Sequence, residues 1–151
     1  MKKLRYLIVV ILVILDQASK YLIRTNMSVG ESIDVLGNIF SITFVRNFGA
    51  AFSSLTSAPI FLKVFPIVLV IVAIFILEKF IKSHWTLITA LVLIISGGIG
   101  NLIDRWVFGY VTDMFDFHFW PVFNVADICV TCGCVFLVLY VIFFDKNDGK
   151  E

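Results

Sequence analysis

Residues 59 to 77 read PIFLKVFPIVLVIVAIFIL, an almost unbroken apolar run whose one charge is Lys63. A helix needs about 20 mostly apolar residues to cross the hydrocarbon of a bilayer. Inside lipid every backbone polar group must be satisfied internally, so a run of this kind spans as a helix. The composition agrees. The 151-residue chain is 60% hydrophobic and 15% charged, where a soluble domain is about half apolar and about a quarter charged. The net charge of +1 says little, because 12 basic and 11 acidic residues cancel; their positions matter more. No basic stretch is interleaved with aromatics, so nothing suggests nucleic-acid binding.

Four spans are expected, at about 4–23, 59–77, 84–105 and 121–144. The first, LRYLIVVILVILDQASKYLI, begins like a secretory signal, with Lys2, Lys3 and Arg5 ahead of a short apolar run. Asp16, Gln17 and Lys20 follow at once, with no A-x-A-like cleavage pattern, which favours a retained span. Lys and Arg near the span ends set orientation. Lys2, Lys3 and Arg5, then Lys79 and Lys82, then Lys146 and Lys150 fall on one side, so both termini are expected in the cytoplasm. Trp85 then sits near the inner boundary, and Trp106 and Trp120 near the outer one, as in an aromatic belt.

Two segments face outward, about 24–58 and 106–120. Apolar and polar residues roughly alternate from Ile33 to Val45, with Gly37-Asn38 as a turn, which predicts a small antiparallel sheet at the surface. Residues 106–120 are expected as an outer loop. No repeat, low-complexity tract or linker divides residues 1–151, so the expectation is a single integral membrane domain: an all-α, four-helix transmembrane bundle with a small extracytoplasmic sheet.

Sorted by depth, the polar residues converge on one leaflet. Asp16 and Lys20 lie toward the outer end of span one. Asn101, Asp104 and Arg105 lie toward the outer end of span three, and Asn124 and Asp127 just inside the start of span four. RNFGAAF, residues 46–52, comes shortly before span two. Asp16 and Lys20 are four apart and share a helix face; a salt bridge alone would justify two charges that each cost about 2.5–3.5 kcal/mol in a membrane. Asn101 with Asp104, and Asn124 with Asp127, are each three apart, and the two faces can meet across antiparallel helices. Asn side chains also hold helices together without any chemistry. Asp127 is harder to explain that way, because its own span offers no cation. Two neighbouring carboxyls that cannot both ionise form the acid–base pair of aspartic peptidases. Asp104, Asp113 and Asp116 all remain eligible partners on these grounds.

Cys129, Cys132 and Cys134 lie together in span four. A zinc site would need further ligands, and His84 and His118 lie elsewhere, so helix packing is the expected role. Ser96, Gly97, Gly98 and Gly100 read as close helix contacts.

DQASKYLI in the first span, RNFGAAF before the second, GGIGNLIDR leading to VTDMFDF, and FNVADICVTCG opening the fourth resemble the ordered motifs of the signal peptidase II (lipoprotein signal peptidase) family. The resemblance runs through nearly the whole chain. It implies an aspartyl endopeptidase of the bacterial inner membrane that removes signal peptides from diacylglyceryl-modified prolipoproteins, on the amino side of the lipidated cysteine. It further implies Asp113 and Asp127 as the catalytic pair, and Asn47, Asn101, Arg105 and Asn124 as substrate-positioning residues. Asp16, Lys20, Asp104, Gly49 and Ala50 become supporting residues, with Asp104 the mate of Arg105 and Asp116 a solvent-facing loop charge. The sheet and the 106–120 loop would be the cradle and lid of the site. The implied partners are the prolipoprotein, membrane lipids and inhibitors of the globomycin class; no metal or cofactor is called for, and a monomer suffices. Thr112 and Met114 depart from the family, which commonly has an aliphatic and an aromatic residue there.

Two other classes fit parts of the pattern. A proton-coupled transporter would use Asp16, Lys20, Asp104 and Asp127 as a relay, but should carry polar residues through the full bilayer depth. A membrane scaffold would need only the Asn and small-residue contacts.

Overall fold

A computed structural model describes residues 2–49, 59–80 and 83–144. Ala50, Lys82, Lys146 and Lys150, used in the reading above, lie outside the described residues. The order of elements is α1 (Lys2–Asn26), β1 (Ser32–Asp34), β2 (Ser41–Asn47), α2 (Pro59–Lys79), α3 (Trp85–Val107), β3 (Val111–Asp116) and α4 (Val125–Phe143). Three of the helices, α1, α3 and α4, are long and apolar enough among the described residues to cross a membrane.

Helix α3 is the axis of the molecule. In its apolar window 56% of residues are buried, against 17% in α1 and 22% in α4, so the outer helices present most of their surface to lipid. Small residues make the close approach possible. A Cβ at Gly97 would run into the Ala126 carbonyl and the Val130 side chain of α4, and one at Gly133 would fall 2.9 Å from the Ala90 carbonyl oxygen. These are the contacts that stand in for a hydrophobic driving force, which is absent between helices in lipid. An apolar core of Val9, Val70, Ala73, Leu77, Leu91, Val92, Ile95 and Tyr140 fills the other half of the bundle. At that end Lys2 and Tyr6 of α1 both bond Glu78 of α2.

The sheet caps the opposite end, in the order β1-β2-β3 with both pairings antiparallel. Ser32–Asp34 pairs with Ser41–Thr43 around the expected turn at Gly37-Asn38. The third strand overturns the expectation of a loop at 106–120: Val111 to Met114 form a strand in which all four residues are buried. Its alternation was hidden because both faces are covered and each buries a polar residue, Thr112 on one and Asp113 on the other, so burial does not follow polarity. Between Ile42 and Val45 the register shifts, so that Ile42 faces Phe115 while Val45 faces Asp113. A bulge of this kind re-aims the residues beyond it. Here it brings Asn47 diagonally across from Asp113.

Helix boundaries moved for local reasons. Span four, expected from 121, starts at Val125 because Asn124 is its N-cap: the side chain accepts from the Asp127 N–H, and the Asp127 side chain accepts from the Asn124 N–H. Asn124 and Asp127 are therefore a capping box and not two residues projecting from one helix face.

Candidate active site

Asn124 joins the two carboxylates singled out in the sequence. Its Nδ2 donates to Asp113 Oδ1 at 2.6 Å, and its backbone N–H donates to Asp127 Oδ2 at 3.3 Å. The remaining oxygens are held by two more asparagines. Asn47 Nδ2 donates to Asp113 Oδ2 at 3.0 Å, and Asn101 Nδ2 to Asp127 Oδ1 at 2.7 Å. Four elements thus meet here: β2 supplies Asn47, α3 Asn101, β3 Asp113, and the start of α4 Asn124 and Asp127.

An asparagine can present either end of its amide, so each must be told which way to face. Each carbonyl oxygen here has its own donor. Lys20 Nζ donates to Asn101 Oδ1 at 3.0 Å, the Gly49 N–H to Asn47 Oδ1 at 2.8 Å, and the Asp127 N–H to Asn124 Oδ1 at 2.9 Å. All three NH₂ groups are thereby turned onto the carboxylates. Gly49 does this at φ +95, a conformation that side chains resist.

The two acids differ in exposure. Asp113 is buried, whereas Asp127 is half-buried and lines a cavity of about 280 Å³ with Trp120, Phe123, Ile128, Thr131 and Cys132. Burial pushes Asp113 up to about 6; the Asn124 and Asn47 hydrogen bonds oppose the shift, and the Asp127 charge reinforces it. Among the described residues neither acid has a Lys, Arg or His within ion-pair distance.

Arg105 lies alongside without touching them. It is half-buried and makes no hydrogen bond or ion pair with a described residue. With Asn101, Pro66, Leu69, Gly97 and Gly98 it lines a second cavity, of about 160 Å³, between α2 and α3. The expected pairing of Asp104 with Arg105 is not formed. Asp104 turns the other way, to Lys20 at 3.6 Å, Arg24 at 3.4 Å and Gln17 at 3.3 Å, because successive helix residues point about 100° apart. Asp104 Oδ2 also accepts from the Thr112 N–H at 2.8 Å.

Asp16 and Lys20 form the expected pair at 2.9 Å, both fully buried. Asp16 also accepts from the Ala126 N–H in the first turn of α4. Gly100 leaves the room for this, since a Cβ there would fall 2.5 Å from Asp16 Oδ2. Among the described residues, no buried side-chain nitrogen or oxygen lacks a partner. Asp116, expected in solvent, is instead half-buried on β3, accepting from Thr43 Oγ1 at 2.9 Å and the His118 N–H at 2.8 Å. The His118 N–H is the main reason its carboxyl lies below the usual range.

The sequence reading missed Gln17, Arg24 and Thr112 as members of this cluster. The signal was available for the first two: Asp16, Gln17, Lys20 and Arg24 fall on one stripe of α1 at helical spacing.

The chain matches the family model described as signal peptidase (SPase) II over residues 8–143. It is 43% identical to the lipoprotein signal peptidase of Halothermothrix orenii, over 90% of this chain and 93% of that one. It is 41% identical to that of Moorella thermoacetica, over 97% and 98%. Two solved structures described as bacterial membrane enzymes superpose closely. One has a TM-score of 0.86 at 32% identity, covering 99% of this chain and 93% of the other. The second has a TM-score of 0.83 at 33% identity, covering 95% and 94%.

Proposed function

The chain belongs to the signal peptidase II family and is a membrane peptidase, and on that footing we propose that it is an aspartyl endopeptidase acting through Asp113 and Asp127. Its substrate is a diacylglyceryl-modified prolipoprotein, cut on the amino side of the lipidated cysteine. The observation that carries this reading is the bridge at Asn124, which holds two carboxyls side by side with amides alone and no cation.

Two carboxyls coupled through one residue divide the roles of acid and base between them. Asp113, buried and pushed up to about 6, holds a proton and delivers it to the scissile carbonyl oxygen as the water attacks. Asp127, at the cavity wall, is the carboxylate that takes a proton from water as the water oxygen attacks the carbonyl carbon. The tetrahedral intermediate then collapses: Asp127 returns that proton to the leaving amine of the cysteine, and Asp113 recovers its own as the acid product forms. Asn101 and Asn124 hold the acids in register, and Arg105 faces the substrate from the neighbouring cavity, where its donors suit peptide carbonyls.

The four helices serve as four passes through the bacterial inner membrane, with both termini cytoplasmic and the sheet outside. The Lys and Arg distribution at the helix ends supports that orientation. The substrate's own build fits it, since an apolar signal helix ending in a lipid anchor brings its scissile bond to the outer headgroups. The cavity beside Asp127 is apolar enough to accept the chain on either side of the bond.

The test is cleavage of a lipidated prolipoprotein in proteoliposomes by wild type, Asp113→Asn and Asp127→Asn at matched membrane levels. Both variants should be inactive. Full cleavage by either one overturns the pair.

A further inference from the structure

Thr112 sits next to Asp113 and its side chain lies on the other face of β3, among the helices. It is fully buried, and a buried hydroxyl is costly unless it is hydrogen-bonded. Its oxygen accepts from Arg24 Nη1 at 2.9 Å. The same nitrogen reaches Asp104 Oδ1 at 3.4 Å, and the guanidinium carbon lies 4.2 Å from the centroid of the Phe108 ring. One guanidinium from α1 therefore ties the end of α3 and the residues that follow it to β3. The Thr112 N–H bond to Asp104 completes a closed loop of contacts through three elements.

We propose that Arg24 and Thr112 are a positioning pair: by fixing β3 against α1 and α3 one residue away from Asp113, they set the reach of that carboxyl toward the scissile bond. The inference rests on the reading of Asp113 as half of the catalytic pair. Ladder bonds to β2 hold one edge of β3, and on its other edge the Thr112 N–H is held by Asp104. The Arg24–Thr112 bond adds a side-chain tie on the helix side of the strand, opposite Asp113. Lysine would not replace Arg24, because an ammonium has no plane to lie over the Phe108 ring while its nitrogen serves both oxygens. Neither residue touches the substrate in this arrangement; both act through Asp113.

The experiment is a double-mutant cycle on the full-length chain in proteoliposomes, with Thr112→Val, Arg24→Met and the double variant, read as kcat and KM on a lipidated prolipoprotein. Thr112→Ser and Arg24→Lys are measured beside them, with thermal midpoints for all. Thr112→Val should lower kcat about tenfold through misplacement of the acid, with KM held within about twofold. Thr112→Ser should recover most of that loss, Arg24→Lys should resemble Thr112→Val, and the double variant should be no slower than Arg24→Met alone. Losses that multiply in the double variant overturn the proposal. So does an equal kcat for the Val and Ser variants, or a Thr112→Val variant whose thermal midpoint falls with kcat unchanged. Asp113→Asn in the same assay separates the two levels: if it still cleaves, the reading of the site has failed; if it is inactive, the cycle alone decides the pair.

Discussion

Two sets of aspartates share one end of this bundle, and their partners are of opposite kinds. Asp16 and Asp104 are met by cations: Lys20 reaches both, and Arg24 reaches Asp104. Asp113 and Asp127 are met by the amides of Asn47, Asn101 and Asn124 and by a backbone N–H. The cations tie their aspartates into the bundle, whereas at Asp113 burial raises the proton affinity and the amide donors offset it only in part. On the mechanism proposed above, the difference divides one residue type between structure and chemistry. The link between the sets is Asn101, whose carbonyl takes a bond from Lys20 while its NH₂ serves Asp127. The cation-held set thereby orients the amide-held one without pairing with it.

The comparison breaks most visibly at the amide-held pair. Asp113→Asn and Asp127→Asn should each lower kcat on the order of 10³-fold or more, as removal of an acid–base group does, while the thermal midpoint stays near that of wild type. Asparagine keeps the shape and one acceptor of each acid and sets its NH₂ against a single donor, at the cost of one hydrogen bond, so a variant that fails to fold would contradict the assignment of these acids to chemistry. The converse holds for the cation-held pair. Lys20→Met should destabilise the protein by about 3–5 kcal/mol, the effect of stranding a buried charge. Detergent-solubilised variant, followed by thermal unfolding, gives the measure. An unchanged midpoint would mean that Lys20 serves the site and not the bundle.

The third test concerns the proton. Asp113 is pushed up to about 6 by burial, above the ordinary carboxylate value. The folded chain therefore binds more protons than the unfolded chain between those two values, and this group's contribution to stability declines as pH rises through that window. For catalysis the sign is the same: the protonated form is the working one. kcat/KM, which reports the free enzyme, should fall above pH of about 6, approaching about tenfold per pH unit. A level profile through pH 8 would place the proton elsewhere.

Much of this arrangement was legible in the residues. The bundle followed from the apolar runs, and the convergence at one end followed from placing Asp16, Lys20, Asn101, Asn124 and Asp127 by depth. The partner of Asp127 was not legible on physical grounds, because Asp104, Asp113 and Asp116 are equally acidic and close in sequence. What separates them is tertiary. Asp104 faces α1 because it is one helix position from Arg105, and β3 turns Asp113 inward and Asp116 toward Thr43. The strand itself escaped notice because its burial on both faces erased the alternation that reveals a strand. The capping box at Asn124 was visible, as Asn followed three residues later by Asp ahead of an apolar run, but a span drawn by hydropathy alone overran it.

Asp116 supplies the smallest and most discriminating effect, because it shares β3 with Asp113 and lies three residues along. It meets no Lys or Arg as Asp104 does and is less deeply buried than Asp113; the His118 Nδ1 lies 3.5 Å from its Oδ1. Its oxygens accept from the His118 N–H and Thr43 Oγ1, and its carboxyl lies below the usual range as a result. Asp116→Asn should therefore change cleavage by less than about twofold, because its bonds run to Thr43 and His118 and none reaches Asp113 or Asp127. Its stability signature has the opposite sign to that of Asp113. A depressed folded value stabilises the fold above the ordinary carboxylate pKa, and that contribution disappears as pH falls through the folded value. The thermal midpoints of wild type and Asp116→Asn should therefore differ slightly at pH 7 and converge on acidification. Loss of cleavage comparable to that of Asp113→Asn would show that position on β3, and not the kind of partner, decides which aspartate does chemistry.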